Sequence, residues 1–131
     1  MENYAEIRNR AKKLYLQKSP VICPKLNGES VTFNSSGFRH LIGHGKKMRR
    51  QREQLRRFAL LPHVENVLTD TSAKVVQTKK EGAYTFDRHG HKAKRISQAL
   101  FWRFSSRQNG RMVNVIVRQV GNGQKHFFSV F

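Results

Sequence analysis

The chain has one cysteine, three prolines and only eight acidic residues among its 131 positions. A lone thiol, Cys23, has no partner for an internal disulfide, so a disulfide framework is excluded and a reducing, cytoplasmic compartment fits. No apolar run approaches the roughly 20 residues needed to span a bilayer. The opening stretch, MENYAEIRNRAKKLYLQKSP, lacks the apolar core of a secretory signal. A long Lys-rich helix with large apolar residues on its other face is also missing, which argues against a membrane-surface protein. Internal repeats and low-complexity tracts are absent.

Against the eight acids stand 26 Lys and Arg, a formal net charge of +18. Such an excess repels itself in a compact chain and is usually tolerated because a polyanion neutralises it. The basic residues run from Arg8 to Lys125 and are not gathered in one tail, which fits a charged face on a folded domain. The length suits one domain with a modest core. Nucleic acid is the expected partner.

Apolar spacing predicts a helix over Asn3 to Leu16, ended by Pro20 and Pro24, which begin a short irregular connection. A short strand follows at Ser30 to Asn34, then a helix of barely two turns from Ser35, with a serine cap, stopping at Gly43 and Gly45. Arg49 to Asp70 reads as helix interrupted at Pro62. Strands are expected at Ala73–Lys79, Ala99–Ser106, Arg111–Val120 and Gln124–Phe131, with a polar loop between the first two. Asn109-Gly110 is a hairpin turn signal. The expected class is α+β: N-terminal helices on one face of a four-stranded antiparallel meander.

Strand alternation sorts the residues further. Val113, Val115 and Val117 should meet the helices, with Asn114, Ile116 and Arg118 opposite. Phe101, Arg103 and Ser105 divide likewise from Leu100, Trp102 and Phe104. A sheet face carrying Arg103 and Arg118 is therefore not simply core. The closing strand, KHFFSVF, is apolar on both faces yet holds His126 and Ser129, and alternation alone does not bring those two together unless a bulge intervenes.

The order of these motifs resembles the phage-associated nucleases of the barnase–EndoU–colicin–RelE-like superfamily. The carriers are VTFNSSGFRHLI, a helix that includes His40, a further helix and a four-stranded meander whose last strand embeds a serine. The resemblance covers residues 31–131, a ribonuclease-like domain, and leaves residues 1–30 outside it as an opening helix and connection. It implies a small helices-then-sheet fold that cuts RNA without metal. Its pattern of a helical His, a central-strand basic residue and a last-strand Ser falls on His40, Arg118 and Ser129. A phage-associated nuclease or toxin would follow, acting on RNA, transfer RNA included, with an acidic antitoxin or immunity protein as a further expected partner.

The chemistry has its own requirements. Metal-free cleavage of RNA needs a base for the ribose 2′-hydroxyl, an acid for the leaving 5′-oxygen and cations beside the transition state. Histidine suits the proton roles and arginine the phosphate. His40, His126, Arg118 and Ser129 are accordingly the candidate catalytic set, with either His as the base. Arg103, His44, Lys46, Lys47 and Lys125 are the candidate phosphate contacts. Glu53 and Glu65 fall in helices and Glu81 in a loop, so no sheet carboxylate is at hand as a base. The runs HLIGH and HGH invite zinc, but one Cys and scattered carboxylates do not complete a ligand set, and no cofactor is expected. Each residue also has a structural reading: His40 as helix packing, Arg118 as an edge charge, Ser129 bonded to its own backbone. The rival function is a non-catalytic RNA-binding module whose Trp102, Phe101 or Phe128 stack on bases.

Overall fold

In a computed structural model, which describes residues 2–88 and 91–131, helices precede a four-stranded sheet. Helix α1 (Tyr4–Leu16) starts where the Asn3 side chain accepts the Glu6 N–H at 2.9 Å, and it buries Ala11 and Tyr15. The segment expected to be irregular instead contains strand β1 (Val21–Cys23), paired antiparallel with β2 (Glu29–Val31). A 3-10 turn, Pro24–Leu26, joins them, and Asn27 and Gly28 at positive φ reverse the chain. Proline at both ends of so short a strand hides it from an alternation test.

Helix α2 (Ser35–Ile42) is capped by the Asn34 side chain, which accepts the Gly37 N–H at 3.3 Å. The expected serine cap is corrected by one position, and Ser36 is left to make other bonds. A two-residue hairpin follows, β3 (Gly43–His44) with β4 (Lys47–Met48). Pro62 divides the next helical stretch as expected: α3 (Gln51–Leu60), a 3-10 turn at Leu61–His63, and α4 (Val64–Thr69).

The sheet runs β5 (Lys74–Arg88), β6 (His91–Gln108), β7 (Arg111–Val120) and β8 (His126–Val130), each antiparallel to the next in spatial order. Between β6 and β7, Asn109 and Gly110 both take positive φ, the geometry of a two-residue hairpin turn. The expected polar loop between the first two strands is corrected: β5 and β6 pair without interruption from Lys74↔Ser105 to Arg88↔His91, so Glu81 lies in a strand. Strand β7 pairs only with Ala99–Gln108 of β6, so the ribbon continues past the sheet's width. Among the described residues no third strand pairs with this extension, and its polar sequence reads as loop.

Val113, Val115 and Val117 are fully buried on one face of β7, with Trp102 and Phe104 beside them. Phe58, Leu61, Val64, Val67 and Leu68 from α3, α4 and the turn between them join the same core. Arg118, Ile116 and Asn114 lie on the other face and are half-buried, as alternation requires. Cys23 is buried, its thiol 3.1 Å from the Leu68 carbonyl oxygen. Among the described residues no helix is long and apolar enough to cross a membrane.

The far edge of β8 is covered. Thr32, just past β2, donates its N–H to the Lys125 carbonyl at 3.0 Å and accepts from Phe127 N–H at 2.8 Å. Helix α2 then packs on β8 through Gly37. A Cβ built there would stand 2.6 Å from the Phe127 carbonyl oxygen and 2.5 Å from the Tyr15 hydroxyl. The absence of a side chain lets α2 sit against the backbone of β8, and this contact places His40 and Ser36 beside the last two strands.

Candidate active site

An open cleft of about 1820 Å³ lies between α2 with the β3–β4 hairpin on one side and β7–β8 with Tyr84 on the other. It is rimmed by Arg8, Arg39, Lys46 and Lys47, and no carboxylate is among the described residues that line it. The field inside it is that of an anion receptor.

A β-bulge organises the floor. Arg118 pairs with His126 and Val117 with Phe127, but Ile116 pairs with Ser129, leaving Phe128 as the extra residue. The slip lets both His126 and Ser129 register on the Arg118 side of the sheet, although Ser129 lies an odd three positions after His126. Phe128 becomes the centre of a small stack. The His40 ring centroid lies 4.0 Å from that of Phe128, and the Arg118 guanidinium carbon lies 4.5 Å from it. Phe101 meets the same ring edge-on at 5.6 Å. An imidazole and a guanidinium thus both pack against one phenyl ring.

Arg118 is fixed by side chains from two elements. Its Nε donates to His126 Nε2 at 3.0 Å and its Nη2 donates to Ser36 Oγ at 3.2 Å. Because His126 Nε2 accepts, the ring proton belongs on Nδ1, which lies 3.4 Å from the Gln124 carbonyl oxygen. His126 is buried, and its pKa is pushed down to about 4, first by burial and then by the Arg118 charge.

His40 is half-buried at the end of α2. Its Nε2 is 3.3 Å from His44 Nδ1, and Arg49 donates from Nε to its backbone carbonyl at 2.9 Å. Burial, followed by the charges of Arg49, His44, Arg57 and Arg118, lowers its pKa to about 4. At neutral pH it is an uncharged imidazole whose Nδ1 lies 3.5 Å from Arg49 Nη2, so a substrate hydroxyl would reach Nε2 by displacing the exposed His44 ring. An anionic substrate in the cleft would raise its basicity toward the operating range.

The sequence-predicted residues separate into two groups. His40, Arg118, His126, His44, Lys46 and Lys47 line the cleft. Ser129 does not: its buried hydroxyl accepts from Arg57 Nη1 at 2.6 Å, and Arg57 is held in turn by Glu53 at 3.0 Å. Its backbone-bonded reading is replaced as well, since the partner is a side chain of α3. Lys125 is ion-paired with Glu29 and lies 5.1 Å from the Trp102 ring centroid, away from the cleft lining. Arg103 is exposed on the outer sheet face opposite Ile116, outside the lining. Trp102 is buried in the core and offers no stacking face. Among the described residues no group of three metal-ligating side chains occurs; His89 and Gly90 of the HGH run lie outside the described residues.

Residues that sequence reasoning missed complete the site. Ser36 stands four positions before His40, a spacing that puts both on one helix face and was available as a signal. Arg49, read as the start of a helical stretch, lies before α3 and braces the His40 carbonyl. Tyr84, from the stretch read as loop, brings its ring 5.8 Å from the Arg118 guanidinium carbon. No family model, curated protein or solved structure matches the chain.

Proposed function

We propose that the protein is a metal-independent endoribonuclease whose cleavage centre is the His40–Arg118 pair. The observation that carries this reading is the stack itself: a neutral imidazole and a fixed guanidinium on one phenyl ring, in a basic cleft with no carboxylate among its described lining residues. A scissile phosphate seated on Arg118 brings its ribose toward His40. His40 takes the 2′-hydroxyl proton, O2′ forms a bond to phosphorus and the bond from phosphorus to O5′ breaks. The leaving oxygen takes a proton from solvent, and a 2′,3′-cyclic phosphate remains. Arg118 stabilises the charge that builds on the non-bridging oxygens, where a preorganised donor has most effect. A strongly basic ribonuclease also requires restraint, and an acidic inhibitory protein is the partner its charge suits.

The test is incubation of total RNA with the protein in excess EDTA. The wild-type chain should degrade it, and His40→Ala should slow cleavage by about a hundredfold or more. RNA bound but left intact by the wild-type protein would favour the non-catalytic binding module instead.

A further inference from the structure

We infer that His126 is a positioning residue: its unprotonated Nε2 orients the Arg118 guanidinium so that the remaining N–H groups of Arg118 meet a phosphate in the cleft. The inference rests on the proposed RNA-cleaving role of this site and assigns His126 a task other than proton transfer.

The argument is one of occupancy. Arginine has five N–H donors in a rigid planar fork. In Arg118 the Nε–H goes to His126 and one Nη2–H to Ser36, while Phe128 lies against the guanidinium at 4.5 Å. The Nη1 pair and the second Nη2–H have no partner among the described residues, and Arg118 lines the cleft. The fork therefore has a fixed back edge and an open front edge.

His126 is occupied at both nitrogens. Nε2 accepts from Arg118, and Nδ1 faces the Gln124 carbonyl oxygen at 3.4 Å. A ring bonded in this way has no nitrogen left for a ribose hydroxyl or a leaving oxygen unless it first releases Arg118. The choice of acceptor matters as well. Among the described residues no carboxylate forms an ion pair with Arg118. A carboxylate in the place of His126 would hold the guanidinium equally well, but it would cancel the charge that a phosphate needs. A neutral imidazole orients the cation and leaves its charge intact.

The experiment compares His126→Gln with His126→Leu, two side chains of similar bulk. The glutamine oxygen accepts an N–H but carries no proton to a substrate; leucine does neither. Steady-state cleavage of a short oligoribonucleotide is measured for each, with circular dichroism to verify folding. Affinity for the same oligonucleotide is measured by fluorescence anisotropy in a His40→Ala background, which reads the phosphate seat even where nothing is cut. His126→Leu should lower kcat/KM by about tenfold or more, and it should flatten the salt slope of binding by about 0.7, one single-strand phosphate contact. His126→Gln should recover most of both losses. Glutamine as inactive as leucine, with binding intact in both, would make His126 a proton-transfer group and overturn the inference. Leucine without effect on either measurement would overturn it too.

A readout on the unsubstituted protein stands apart from any folding defect. Nitrogen-15 NMR of His126 at neutral pH should show an unprotonated Nε2. A proton on that nitrogen would end the proposal. Failure of the wild-type chain to cleave RNA would count against the ribonuclease reading alone, because the anisotropy and NMR arms still report on the seat.

Discussion

A hydroxyl set between Phe128 and Val130 is worth what its partner makes of it, and the partner of Ser129 is Arg57. Ser129→Ala removes an acceptor from a guanidinium that keeps Glu53 and the Val130 carbonyl. The expected cost is about 1–2 kcal/mol of stability, the scale of a hydrogen bond to a charged group. Turnover should stay within about threefold. Thermal unfolding and single-turnover cleavage of one sample decide the matter; unchanged stability with a hundredfold slower reaction would return Ser129 to the chemistry. The buried histidine carries a second prediction. His126 has a folded-state pKa of about 4 against an ordinary value near 6.5. Above that ordinary value the ring is neutral in both states and costs nothing. As pH falls from about 6.5 toward 4, the unfolded chain gains a proton that the folded one refuses, so stability is lost across that window. The share of His126 at pH 4.5 should be on the order of 2 kcal/mol. Urea unfolding at pH 7 and 4.5 measures it, and His126→Gln should lose that share of the pH dependence. A variant with the same pH dependence as wild type would contradict the assignment.

At the scale of elements, the site depends on α2 resting directly on β8. Gly37→Ala would drive a methyl group toward the Phe127 carbonyl oxygen, which is backbone and cannot swing aside. The helix must lift, at about 1–3 kcal/mol as for other overpacked contacts, carrying His40 and Ser36 away from Arg118. We expect a lower melting temperature together with at least tenfold slower cleavage, since misplacement of about 1 Å is costly in catalysis. A stable, fully active Gly37→Ala protein would show that the helix has slack. The elements also show what was legible beforehand. Strand β7 was readable to its ends because Val113, Val115 and Val117 alternate against a real core. The far half of the β5–β6 ribbon was not, because no third strand among the described residues pairs with it. His40 and Arg118 were identifiable as residue types in a motif. Ser36 was legible as a neighbour of His40 on one helix face, but its bond to Arg118, like the approach of Tyr84, depends on how α2 meets the sheet and where the ribbon carries Tyr84. The extra residue at Phe128 supplies the bulge that alternation required to bring Ser129 and His126 to one side. The partner of Ser129 was not legible, because its bond to Arg57 depends on how α3 meets the closing strand.

Across the whole molecule, 26 basic residues stand against eight acidic ones, and in the proposed role phosphate neutralisation would supply most of the affinity for RNA. Binding of RNA to the His40→Ala protein should weaken by about tenfold or more between roughly 50 and 200 mM salt, as counterions are released from several phosphates. A nearly flat response would mean that the basic rim of the cleft does not track a nucleic-acid backbone. That outcome would concern binding, whereas the central claim concerns bond cleavage by His40 and Arg118 without metal. The chemical form of the product tests that claim most directly. RNA is incubated with the protein in excess EDTA, and the new 3′ ends are identified by mass spectrometry beside those from His40→Ala and Arg118→Ala. The account predicts 2′,3′-cyclic phosphate ends from the wild-type chain and almost none from either variant. Fragments ending in a free 3′-hydroxyl, or cleavage that returns only when magnesium or zinc is restored, would contradict it.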